Sequence, residues 1–224
     1  MSLITDIFKQ ELEYIKDKNI RDLVIEALNK VSSGFLVSPA STSGKYHSSH
    51  SLGNGGLVRH TKSCVYMAKL ITDLEFVRKA LNRYEIDYII SASLLHDVCK
   101  QGINWESSKT VFEHPRLVWN LNSREEMTKS NIYHWERINF MISTHMGQWN
   151  TNKHPDNTNN GRMLPKPKTL SQFIVHLSDL LASRKHIEVD IFTKEEMLGY
   201  IIEGVEDYFY SVIVPSRDEL NKTE

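Results

Sequence analysis

The chain has 224 residues, of which 40% are hydrophobic and 25% charged, with a formal net charge of −1. That length suits one good core or two small ones, and the composition is that of an ordinary globular protein. The near-zero charge argues against a protein that coats nucleic acid, which needs clustered Lys and Arg, but still allows one nucleotide in a pocket.

The opening MSLITDIFKQELEYIKDK mixes apolar and charged residues at helical spacing and has no continuous apolar core of a leader. No stretch approaches the ~20 apolar residues of a spanning helix. Helical periodicity predicts helices over roughly 3–16, 20–31, 56–72, 74–82, 85–98, 115–122, 131–145, 169–185 and 194–210. Two segments read as long loops: the Ser- and Gly-rich 32–56 and the Asn- and Pro-rich 147–168. Alternating strands and internal repeats are both lacking. The expectation is an all-α protein, one compact helical bundle spanning 1–224. Cys64 and Cys99 lie inside apolar helical patterns and read as reduced core thiols, which points to the cytoplasm. The last predicted helix carries an amphipathic stripe of Met197, Tyr200, Ile201, Val205 and Tyr208. It packs either on its own domain or on a second copy in a homo-oligomer.

Polar residues interrupt the apolar stripes at particular places. In GGLVRHTKSCVYMAKLI, His60 shares a stripe with Leu57, Cys64, Ala68 and Ile71. EIDYIISASLLHD is apolar nearly all round and ends on His96 and Asp97, about 100° apart on a helix. In NIYHWERINFMISTHM, His145 follows Ile138 and Met141 on the inward rows. In TLSQFIVHLSDLLASR the apolar stripe is Leu170, Phe173, Ile174, Leu177, Leu180 and Leu181, with Asp179 opposite. Each polar residue alone reads as a hydrogen-bonded core histidine or a solvated carboxylate. Three inward histidines and a carboxylate in one domain are together costly to bury without a partner. A shared divalent cation satisfies them all, and imidazole with carboxylate suits Mn, Fe, Co, Ni or Zn.

The order His60, then His96-Asp97, then Asp179 resembles the HD-domain superfamily of metal-dependent phosphohydrolases, an all-helical family. The local contexts are GGLVRHT, SLLHDVCK and VHLSDLLASR, and the likeness covers roughly 45–186. Cys99 stands where many members of that family have Gly. FEHP adds His114 and STHMG adds His145, in the two intervals where the dinuclear subset of the family carries extra histidines. The resemblance implies that His60, His96, Asp97 and Asp179 hold one metal. His114 and His145 would hold a second, with Asp97 bridging. It further implies hydrolysis of a nucleotide or other small phosphate ester by a metal-activated hydroxide.

Asp97, Lys100 and Arg184 are then the catalytic candidates. Lys100 and Arg184, each about a turn past a ligand, are also candidates to bind the phosphate. His50, in the Ser-rich loop with His47, is a further substrate-binding candidate. Arg59 and Lys62 flank His60 and read as surface charges. His134, His154 and His186 read as surface residues, and His176 as a support for the site. Two other activities fit the same ligand order. One is a diiron oxygenase of the same fold, and the other is a nucleotide-binding sensor without turnover.

Overall fold

The computed structural model describes residues 2–41, 44, 47–151 and 163–202. Among these residues the regular structure is helical, apart from one isolated bridge between Thr151 and Met163. The helices are α1 (Leu3–Ile7), α2 (Lys9–Tyr14), α3 (Lys18–Leu28), α4 (Gly34–Val37), α5 (Gly56–Asp73), α6 (Glu75–Ala80), α7 (Arg83–Leu95), α8 (His114–Leu117), α9 (Lys129–Ile142), α10 (Leu170–Ala182) and α11 (Lys194–Leu198).

α7 is the central element, packed against α3, α5, α9 and α10. Its start is set by a capping box, in which the Asn82 side chain accepts from the Glu85 N–H and the Glu85 carboxylate accepts from the Asn82 N–H. From Asp87 to Leu95 every residue is buried. The buried Asp87 accepts the backbone N–H groups of Lys16 and Asp17 at 3.0 and 2.8 Å, which ties the α2–α3 turn to the centre. α7 stops at Leu95, so His96 and Asp97 lie in the turn after the helix and not within it.

The predicted 3–16 helix is broken at Phe8, and the predicted 115–122 helix is α8 followed by a 3-10 turn at Val118–Leu121. The loop 32–56 contains α4 and a 3-10 turn at Ser49–Ser51. The predicted 194–210 helix ends at Leu198, where Gly199 takes φ 83° and 199–202 are not helical; Val205 and Tyr208 lie outside the described residues, as does His154.

α5 begins under close contact. Gly55 takes φ 72°, and a Cβ on Gly56 would stand 2.4 Å from the Ser51 carbonyl oxygen. The segment before α5 therefore lies flat against its N-terminus, held by Leu57 N–H to Ser38 O at 2.8 Å and Ala40 N–H to Ser51 O at 3.0 Å.

The outer side of α5 corrects the surface reading of Arg59 and Lys62, for both are buried. Arg59 donates to the carbonyls of His50, Leu52 and Glu196. Lys62 pairs with Glu196 at 2.7 Å and with the buried Glu11 at 3.6 Å. Asn54 and the Tyr200 backbone exchange two hydrogen bonds. The 193–202 segment thus covers charges that local periodicity places at the surface. His134 is likewise buried, with Nδ1 2.7 Å from the Tyr88 hydroxyl.

α10 also departs from the expected face. Its buried row is Ser171, Ile174, Val175, Ser178 and Ala182, while Leu170, Phe173 and Leu177 are exposed. The small residues let α10 approach α5 and α7 closely, and the larger apolar row is left outside.

Candidate metal centre

Six predicted residues converge where the ends of α7, α8 and α9 meet the sides of α5 and α10. His60 comes from α5, His96 and Asp97 from the turn after α7, His114 from the start of α8, His145 from the turn after α9, and Asp179 from α10. The four histidines and Asp97 are essentially sealed from solvent, and the Asp179 side chain is 18% exposed.

Asp97 organises the cluster. Its Oδ1 lies 3.1 Å from His114 Nε2 and 3.8 Å from His145 Nε2. Its Oδ2 lies 3.5 Å from His96 Nε2 and 3.9 Å from His60 Nε2. Each oxygen thus faces a different histidine pair. Asp179 Oδ1 sits on the second pair's side, 3.2 Å from His60 Nε2 and 3.8 Å from His96 Nε2. Two donor sets that could hold a metal ion result: His60, Cys64, His96 and Asp179, and Asp97, His114 and His145.

The backbone presents these imidazoles in a usable form. Nδ1 of His96, His114 and His145 lies 2.8, 2.7 and 2.8 Å from the carbonyl oxygens of Ser93, Val111 and Ile142. A carbonyl only accepts, so each Nδ1 carries a proton and each Nε2, a lone pair whenever the ring is neutral, is turned inward. This is how metal-ligating histidines are usually oriented by their outer hydrogen bond. His60 differs, since its buried Nδ1 finds no partner among the described residues. His176 supports the site from behind by donating Nδ1–H to the His145 carbonyl at 2.7 Å. Gly147, at φ 50°, makes room for that ring, because a Cβ there would stand 2.2 Å from His176 Cε1.

The charges reinforce one another. Burial opposes ionisation of Asp97, but the Lys100 ammonium at 2.6 Å, with His96 and His114, holds its carboxyl well below the usual range. Burial opposes ionisation of Asp179 too, and the hydrogen bond from His60 together with the neighbouring His96, His60 and His145 outweighs it. Lys100 is pushed up, because Asp97 more than offsets its desolvation. Burial, with His96 and His114 beside it, lowers His145 to about 3, so this ring is neutral at pH 7.

The centre floors a cavity of about 520 Å³. Asp97, His114, His145 and Asp179 lie at its base, with His47, Lys100, Trp149 and Arg184 around it. The Arg184 guanidinium lies 5.4 Å from the centre of the Trp149 ring. Of the three phosphate candidates, Lys100 and Arg184 line this cavity and His50 does not. The His50 Nε2 is taken up by Ser48 and Ser63 at 3.0 and 3.1 Å. His47 stands in the expected place instead, its ring 5.6 Å from that of His60. Burial, then His60 and Lys100, lower His47 to about 4. Two residues of the site escape a periodicity reading. One is His47, whose loop has no period. The other is Cys64, which periodicity places on the His60 stripe but as a core thiol, not as part of the site.

No family model matches the chain, and no solved structure matches it significantly. Over 112 residues it is 33% identical to dihydroneopterin 2',3'-cyclic phosphate phosphodiesterase of Methanocaldococcus jannaschii. The match covers 46% of this chain and 43% of that relative, so the chain spans less than half the relative's length. No described helix is long and apolar enough to cross a membrane.

Proposed function

We propose that the chain is a metal-dependent phosphohydrolase that cleaves a small phosphate ester, with two divalent cations held by the two donor sets. The observation that carries this reading is Asp97, a buried carboxylate with each oxygen turned to a separate imidazole pair. His60, His96 and Asp179 would hold one cation, His114 and His145 the other, and Asp97 both. Such ions activate water near neutral pH and offset the charge that builds on phosphoryl oxygens.

The chain's own side chains supply binding and orientation. His145 is neutral at pH 7, so no proton must leave before it ligates. Lys100, at the floor, is a point charge that turns from Asp97 to a phosphate once a cation compensates that carboxylate. Arg184 offers a planar fork to a second set of phosphate oxygens. His47, also neutral at pH 7, retains one ring N–H for a phosphoryl or leaving-group oxygen.

The exposed indole of Trp149 gives a flat surface for a heterocycle. The relative's name joins a fused heterocycle to a cyclic phosphodiester. Cations and an aromatic face around one cavity suit that combination, so nucleotide-like cyclic phosphodiesters are the substrate class proposed here. The Arg184 guanidinium beside the centre also favours a phosphate substrate over the oxygenase reading, which calls for no phosphate contact.

The test is turnover of a panel of 2',3'-cyclic nucleotides, nucleoside monophosphates and bis(p-nitrophenyl) phosphate with added Mn²⁺. Hydrolysis by the wild type, lost in His60→Ala, is expected. Binding of these compounds without hydrolysis of any of them would leave a sensor and overturn the enzyme reading.

A further inference from the structure

The two cysteines of this chain are equally buried but differently surrounded. Cys99 belongs to the apolar core cluster and Cys64 does not. Cys64 lies one turn after His60 on α5, so the two side chains share a face. Its Sγ is 3.5 Å from His60 Nε2 and 3.9 Å from His96 Nε2. All the donor atoms of His60, Cys64, His96 and Asp179 fall within 4.8 Å of one another.

These spacings fit donors around one ion. With metal–nitrogen and metal–oxygen bonds of about 2.0 Å and metal–sulfur bonds of about 2.3 Å, neighbouring donors about 90–110° apart give N···S and N···O edges of about 3.0–3.5 and 2.8–3.3 Å, at or just below those seen here. The observed N···S edges are 3.5 and 3.9 Å, and the N···O edges to Asp179 are 3.2 and 3.8 Å. A thiol that only fills space has no need to meet two imidazole nitrogens. The other donor set, Asp97 with His114 and His145, contains no sulfur.

We infer that Cys64 is a further ligand of the cation held by His60, His96, Asp179 and the shared Asp97, which makes the two halves of the centre chemically unequal. This rests on the metal-centre reading above and extends it. On binding, the thiol proton passes to solvent and the sulfur lone pair bonds the cation, with no change of oxidation state. A thiolate favours Zn²⁺ or Fe²⁺ over Mn²⁺ or Mg²⁺. The sulfur-containing half therefore takes the softer ion, and the nitrogen-and-oxygen half takes the harder one.

The test is optical and needs no substrate. Metal-free protein is loaded with two equivalents of Co²⁺, and bound cobalt is measured alongside the absorption spectrum. The wild type should show an intense sulfur-to-cobalt charge-transfer band in the near ultraviolet. Cys64→Ser should bind cobalt without that band, and Cys99→Ser should keep it. In competition, Cys64→Ser should lower the preference for Zn²⁺ over Mn²⁺ by about 10- to 100-fold. Wild-type protein that binds cobalt with no charge-transfer band would overturn the Cys64 assignment and leave the metal centre standing. A band that survives in Cys64→Ser would overturn it as well. Wild-type protein that binds no cobalt would overturn both the assignment and the centre.

Discussion

Replacing Lys100 with Met should affect the metal-free and metal-loaded protein differently. In the structure the ammonium lies 2.6 Å from Asp97 Oδ2, and the two side chains are 16% and 4% exposed. At an effective dielectric of about 20, unit charges this close attract by about 6 kcal/mol, and desolvation of the ammonium offsets part of that. Removing one partner of a buried pair typically costs about 3–5 kcal/mol. His96 and His114 still face Asp97, so the low end is expected: about 3 kcal/mol off the unfolding free energy of metal-free Lys100→Met.

A bound cation takes over the compensation of Asp97, so the loss should shrink to under about 1 kcal/mol at saturating metal. Catalytic efficiency should still fall by roughly 10- to 1000-fold, as one charge-assisted contact to phosphate is lost. Urea unfolding followed by circular dichroism, with chelator and then with saturating Mn²⁺, measures the first effect, and steady-state kinetics the second. An equal loss of stability in both conditions would refute the claim that a cation shares Asp97 with Lys100. Unchanged kinetics would leave Lys100 only its structural pairing.

Four further outcomes follow from the geometry. His114→Ala or His145→Ala should remove mainly one cation, with activity falling steeply and partly rescued by excess metal; full metal content by elemental analysis would count against their ligand role. Metal-free protein should lose stability as pH falls from 7 to 4. His145 binds its proton less readily folded, at about 3, than unfolded, near 6.5, so its contribution is present above 6.5 and is lost on acidification. That is roughly 3 kcal/mol by pH 4, His47 acts in the same direction, and a flat stability–pH profile from denaturant titration would contradict it. Glu11, raised chiefly by burial, works oppositely: its folded form holds a proton more tightly, so its contribution is lost as pH rises through that raised value. Lys62→Met should cost about 3–5 kcal/mol by leaving Glu11 and Glu196 without their cation, with partial recovery in Lys62→Met/Glu11→Gln; a change below 1 kcal/mol in thermal unfolding would show that the 193–202 segment is not held there.

Much of the site was legible because its residues interrupt apolar stripes. His60, His96 and His145 each break a helical row, and a buried imidazole needs a partner wherever the row points. The family likeness added His114 and gave Asp179 its ligand role, and the structure brings both to the same point. Periodicity failed where contacts are remote in sequence. Arg59 and Lys62 look solvated until Glu196, more than 130 residues on, is laid across them. It failed again on α10, where the larger apolar row was taken for the buried one. Close approach to α5 selects Ser171, Ser178 and Ala182 instead, and turns Asp179 toward His60. Between His47 and His50 no pattern could choose, since Ser48 and Ser63 take up His50 only once the loop has folded onto α5.

The central claim is that one carboxylate, Asp97, joins two metal sites. Metal titration by calorimetry with elemental analysis, on wild type and Asp97→Ala, tests it most directly. The account predicts two ions per wild-type chain and a loss of affinity at both positions in Asp97→Ala, although that side chain is a single residue. One ion per wild-type chain at every metal concentration, or two sites of undiminished affinity in Asp97→Ala, would contradict it.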